Sequence, residues 1–124
     1  MYLIGGAHPH KVEAQLILER LIALRDRLVT DVEVLQEILH RYTAINKREA
    51  IGPALRSVLD VVDDVLSIDK TDVMRASEIV QHRGTFSARD AIHIAAMERH
   101  GIQSIFSFDA DFDRWPGLTR IYKV

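Results

Sequence analysis

Thr85-Phe86-Ser87-Ala88-Arg89-Asp90-Ala91-Ile92-His93-Ile94-Ala95-Ala96, followed by Ser104-Ile105-Phe106-Ser107-Phe108-Asp109-Ala110-Asp111-Phe112-Asp113, decides how the rest of this 124-residue chain reads. The first stretch predicts a helix that opens on a carboxylate, running from Ser87 to His100 with Gly101 as its stop. The second predicts a buried strand, Ser104 to Phe108, that ends in carboxylates. Acids at a helix start and at the carboxyl end of a strand are what an α/β fold gathers into a cleft.

Upstream, the same alternation continues. Met1-Tyr2-Leu3-Ile4 is a short apolar opening halted by Gly5-Gly6, and Ala7-His8-Pro9-His10 reads as a loop. Val12, Leu16, Ile17, Leu21 and Leu24 fall at helical spacing between Lys11 and Arg25. Arg27 to Thr30 reads as a strand. Thr30 with Glu33 fits a capping box for a helix whose face is Val34, Leu35, Ile38, Leu39 and Tyr42. After a polar break at Asn46 to Arg48, a helix is predicted from Glu49 to Val62, with Pro53 in its first turn. Asp64 to Ile68 reads as a strand, Asp69 with Asp72 caps a further helix ending before Gly84, and Leu118 to Tyr122 reads as a last edge strand. Strands alternating with helices predict an α/β fold, a parallel sheet covered by helices, expected to form one domain over residues 1–124.

Composition excludes more than it assigns. The absence of cysteine removes disulfides and thiolate metal sites. No apolar run approaches the ~20 residues of a membrane span and no signal peptide is visible, so the cytoplasm is the expected location. A net charge of −2 gives no general attraction to nucleic acid.

The acids carry the chemistry. Glu37 lies between apolar Val34 and Ile38, which draws it toward the buried side; alternatively it is a solvated helix acid. Asp90 stands where a capping-box acid belongs, and that structural role competes with a functional one. Asp109 follows a strand too apolar to be exposed, and Asp111 or Asp113 lies beside it. Two unit charges ~4 Å apart repel by ~4 kcal/mol at an effective dielectric of 20, so converging carboxylates need a shared proton or a divalent cation. Oxygen-only donors favour Mg²⁺ or Mn²⁺. Ser107 either orients water or phosphate, or bonds to backbone within the strand. His93, in an apolar run, reads as a packed histidine, and nothing supplies His8 and His10 with a third ligand. Arg83, Arg89, Arg114 and Arg120 fall near the expected cleft, where they could hold phosphates.

Glu37 within Val34-Leu35-Gln36-Glu37-Ile38-Leu39, Asp90 within Ser87-Ala88-Arg89-Asp90-Ala91, and Ser107-Phe108-Asp109-Ala110-Asp111-Phe112 resemble the PIN-domain nucleases, most of all the VapC toxins of bacterial toxin–antitoxin pairs. The resemblance spans nearly the whole chain. It implies a Mg²⁺- or Mn²⁺-dependent endoribonuclease that cuts structured RNA such as transfer or ribosomal RNA, forms a homodimer and is blocked by a small cognate VapB-like antitoxin. It further implies that Glu37, Asp90 and Asp109 are metal-cluster acids, with Asp111 or Asp113 nearby and Ser107 as the small hydroxyl residue of the last motif.

One departure stands out. Family members begin with an apolar strand ending in an aspartate, and Met1-Tyr2-Leu3-Ile4 resembles the residues that follow it. The expectation is therefore a sheet without its central strand and a natural start upstream of Met1. Each large apolar side chain missing from such a strand removes ~1.5–3 kcal/mol, against a domain's whole stability of ~5–15 kcal/mol. This leaves a second function open: a truncated, non-catalytic domain that retains antitoxin binding. A receiver-type phospho-acceptor domain ranks lower, because the acidic pair after its first strand is absent.

Overall fold

The computed structural model describes residues 2–4 and 11–122. Five strands, β1 (Tyr2–Ile4), β2 (Leu28–Asp31), β3 (Asp64–Leu66), β4 (Ser104–Phe106) and β5 (Thr119–Ile121), form one sheet in the order β3-β2-β1-β4-β5. Every pairing is parallel. The centre of the sheet is filled, which corrects the expectation that the central strand is missing. β1 occupies it, and its register sets Leu3 beside Val29 on one side and Ile105 on the other. All three are fully buried. Three residues are too few to show a strand period in sequence, so its partners define it. The predicted loop Ala7 to His10 lies outside the described residues.

Alternation along the strands divides the core between two faces. Leu3, Val29 and Ile105 pack with Ile79, Phe86, Ile94 and Met97 from α4 (Lys70–His82), α5 (Ala88–His100) and the turn between them. Leu28 and Phe106 pack with Ile17 and Leu21 of α1 (Lys11–Ala23), with Val61 of α3 (Ile51–Val61) at the margin. Leu16 and Leu24, read as part of the apolar face of α1, are more than half exposed. Ile17 and Leu21 carry that contact instead.

Local chemistry sets the helix ends. Asp69 and Asp72 form a reciprocal capping box at α4, and Gly101 ends α5 in the left-handed region with φ 67°. One predicted cap moves by a residue. β2 extends to Asp31, leaving Thr30 inside the strand, and α2 (Val32–Ala44) is capped by Asp31, whose carboxylate accepts the Val34 N–H at 3.0 Å. From β1 the chain steps outward to β2 and β3, while β4 and β5 lie on the other side of β1. The order therefore reverses between β1 and β4, which places the crevice of a parallel sheet at the end of β4. Among the described residues no helix is long and apolar enough to cross a membrane.

Candidate active site

The site forms where α5 begins and β4 ends. Ser87 caps α5, its Oγ accepting the Asp90 N–H at 3.1 Å, and this holds Asp90 on the first turn. Beyond β4, the buried Ser107 Oγ accepts the Asp109 N–H at 3.1 Å. Asp109 Oδ1 then accepts the Asp111 N–H at 2.9 Å, opening a 3₁₀ turn over Ala110–Arg114. These local bonds bring one oxygen each of Asp90, Asp109 and Asp111 within 4.8 Å of one another. Asp90 and Asp111 are half-buried and Asp109 is exposed.

The electrostatics follow from that convergence. Burial, the Asp109 charge and, more weakly, Asp111 push the Asp90 carboxyl up to about 6, although Ser87 and His93 pull the other way. Asp109 and Asp111 raise the cost of ionising Asp90, and three oxygen donors gathered in this way suit a hard divalent cation, which would relieve the repulsion.

The other expected acids stand differently. Glu37, on α2, accepts a hydrogen bond from Arg89 Nη1 at 3.0 Å. Asp113 is held by Arg120 through two bonds of 2.9 Å, which draw its carboxyl below the ordinary range. Arg120 Nη1 also reaches the Ser107 carbonyl at 3.4 Å. Of the two acids left open after Asp109, the fold gathers Asp111 and leaves Asp113 to an arginine. The reason lies in the turn: the Asp109 carboxylate caps it through Asp111, not through Asp113. The Ser107 hydroxyl supports backbone. Of the flanking arginines, Arg114 lies 4.0 Å from Asp111, and Arg83 donates to the Arg114 carbonyl and stacks over Trp115.

Sequence reasoning missed a buried pair beside the site. Asp31 is fully buried and His93 nearly so, and Nδ1 of the histidine meets Asp31 Oδ2 at 2.5 Å. Burial works against a charged His93, yet the Asp31 carboxylate, with Asp90 and Glu33 behind it, lifts its pKa above the ordinary imidazole value. Glu33 is itself raised, mainly by desolvation. The available signal was a histidine inside the run Ile92 to Ala96, because a polar group placed there needs a partner.

Comparison with known proteins agrees with this architecture. The PIN domain family matches residues 1–118. The chain is 53% identical to ribonuclease VapC13 of Mycobacterium tuberculosis H37Rv, over 98% of its length and 92% of that protein's. It is 30% identical to ribonuclease VapC23 of M. tuberculosis CDC 1551, over 88% of its length and 86% of that protein's. Among solved structures, M. tuberculosis VapC20, described as a sarcin-ricin loop cleaving toxin, superposes with a TM-score of 0.73 at 22% identity, covering 91% of this chain and 93% of that one. VapBC2 from Rickettsia felis, bound to a DNA fragment from its promoter, gives 0.75 at 16% identity, covering 98% of each chain. A parallel sheet in this order, acids gathered at the end of β4, and identity this high over nearly the whole length together make the chain a member of the PIN-domain family, among its VapC ribonucleases.

Proposed function

We propose that the chain is a metal-dependent endoribonuclease toxin that hydrolyses phosphodiester bonds of structured RNA such as transfer or ribosomal RNA. The observation that carries this reading is the convergence of Asp90, Asp109 and Asp111 oxygens within 4.8 Å in a PIN-domain chain. Those three acids would hold Mg²⁺ or Mn²⁺, with Glu37 joining when it leaves Arg89. When bound, the ion supplies an activated water and stabilises the departing oxygen. The protein's own part is placement. Ser107 fixes the backbone of Asp109, and Asp109 fixes that of Asp111, so two ligands share one turn. Arg89, more than half exposed beside Glu37, and Arg114, 4.0 Å from Asp111, are cations placed to meet a substrate phosphate. Asp113, tied to Arg120, supports the wall of the cleft and stays out of the ligand set.

A cognate VapB-like antitoxin, a homodimer and the cytoplasm complete the reading. Solved relatives from R. felis and Salmonella typhimurium are VapBC complexes, which supports such a partner. One observation favours a second reading: Glu37 is held by Arg89 and stands outside the group formed by Asp90, Asp109 and Asp111. On that reading the domain binds its antitoxin but cannot cut. The two separate when Mn²⁺ is titrated against transfer and ribosomal RNA. Cleavage that rises with Mn²⁺, stops with a chelator and is lost in Asp90→Asn supports the nuclease. Intact RNA at saturating Mn²⁺, with antitoxin still bound, supports the alternative.

A further inference from the structure

We infer that the buried Asp31–His93 pair is a clamp that sets the distance between the two helices carrying Glu37 and Asp90, making both members positioning residues for the metal site. This rests on the nuclease reading above. The geometry is specific. Asp31 stands at the carboxyl end of β2 and uses both oxygens: Oδ1 caps α2 through the Val34 N–H at 3.0 Å, and Oδ2 meets His93 Nδ1 at 2.5 Å. α2 carries Glu37 one and a half turns further on. His93 follows Asp90 by three residues on α5, so the two share a face and lie one turn apart. One carboxylate therefore joins the start of the Glu37 helix to the helix of Asp90.

A second polar tie connects the same two helices, Arg89 to Glu37, and it is of a different kind. Arg89 is more than half exposed, and exposed pairs of this sort contribute little. It also uses the side chain that a cation would claim. Once Glu37 turns to a metal ion, Asp31–His93 is the remaining polar tie among those described between α2 and α5. An apolar residue at position 93 would match its neighbours Ile92, Ile94 and Ala95 and avoid the cost of burying a polar pair. A directional bond fixes spacing where apolar contact tolerates sliding. Asp31 and His93 touch no ligand oxygen of the cluster in the described contacts, and apart from the charge that His93 sets beside Asp90 they act through the helices.

The test separates clamp from cap. Asp31→Ser keeps a good N-cap for α2 but has no second oxygen to reach His93. His93→Asn places an amide N–H where Nδ1–H stands, and His93→Leu removes the donor. Mn²⁺ affinity is read by the electron paramagnetic resonance signal of free Mn²⁺, with circular dichroism to establish folding. A clamp predicts Mn²⁺ binding weakened about tenfold or more in Asp31→Ser and His93→Leu, the range seen when supporting residues of metal sites are lost. It predicts recovery of most of that loss in His93→Asn. Folded Asp31→Ser with wild-type Mn²⁺ affinity would overturn the clamp, and so would His93→Asn binding as weakly as His93→Leu. Wild-type protein that binds Mn²⁺ yet leaves RNA intact would count against the nuclease reading alone, since the clamp is read from binding.

Discussion

Asp72 and Asp90 hold the same local address and lead opposite lives. Each is the third residue of a helix, and each has its backbone N–H accepted by the capping side chain, Asp69 in one case and Ser87 in the other. Asp72 is buried and completes its capping box, donating nothing and accepting the Asp69 N–H at 3.0 Å. Arg99 adds two bonds, at 2.8 and 2.9 Å, and these draw the Asp72 carboxyl below its ordinary pKa. Asp90 meets two further carboxylates instead of an arginine and is pushed up to about 6. The helix cap and Arg99 together account for Asp72. Capping leaves the energy of Asp90 unexplained, and that cost, beside two further carboxylates, is why we propose Asp90 as a functional group.

The sharpest way to break this contrast is Asp90→Asn. RNA cleavage with Mn²⁺ should fall by about 1,000-fold or more, because a metal's charge stabilisation is worth several kcal/mol. The metal-free variant should unfold no earlier than wild type. Retained cleavage would make Asp90 a second Asp72. Next in size, Asp72→Ala should lower stability by about 2–4 kcal/mol in denaturant unfolding, from the lost cap and the charged hydrogen bonds to Arg99. Mn²⁺ affinity of the folded fraction should not change.

The pH dependence divides the two acids further. Between the ordinary carboxyl value and about 6, folded protein keeps a proton on Asp90 that the unfolded chain has released. Metal-free stability should therefore decline as pH rises through that window and stay level above it. Asp72 works in the opposite sense, since its depressed pKa gives stability that is present above the ordinary range and lost as pH falls. Mn²⁺ affinity, measured by titration, should rise up to about tenfold per pH unit below 6 and flatten above, because the Asp90 proton competes with the ion. The smallest effect is expected from Arg89→Ala. Its exposed bond to Glu37 should contribute no more than ~1 kcal/mol to thermal stability, and a larger loss would mean that this tie, more than Asp31–His93, holds α2 to α5.

How far the sequence could be read depends on the range of the interaction. The Asp69–Asp72 box, the Gly101 stop and the acids after β4 are written in residues a few positions apart, and each appears where the spacing places it. The Asp31–His93 pair joins residues 62 apart, and neither neighbourhood names the other. Thr30 and Asp31 compete for one cap, and the winner is set by how far β2 pairs with β3, which ends at Asp31 beside Leu66. β1 is a strand because Val29 and Ile105 flank Leu3, a fact of tertiary pairing. Asp111 and Asp113 are alike in sequence until Arg120 takes one of them.

Thermal unfolding with and without Mn²⁺ tests the central claim most directly. Wild-type protein at an Mn²⁺ concentration of 100 times its dissociation constant should gain about 2.7 kcal/mol of stability, read as a higher melting temperature, and Asp90→Asn should gain little or nothing. A wild-type melting temperature indifferent to Mn²⁺, or an equal rise in Asp90→Asn, would contradict it.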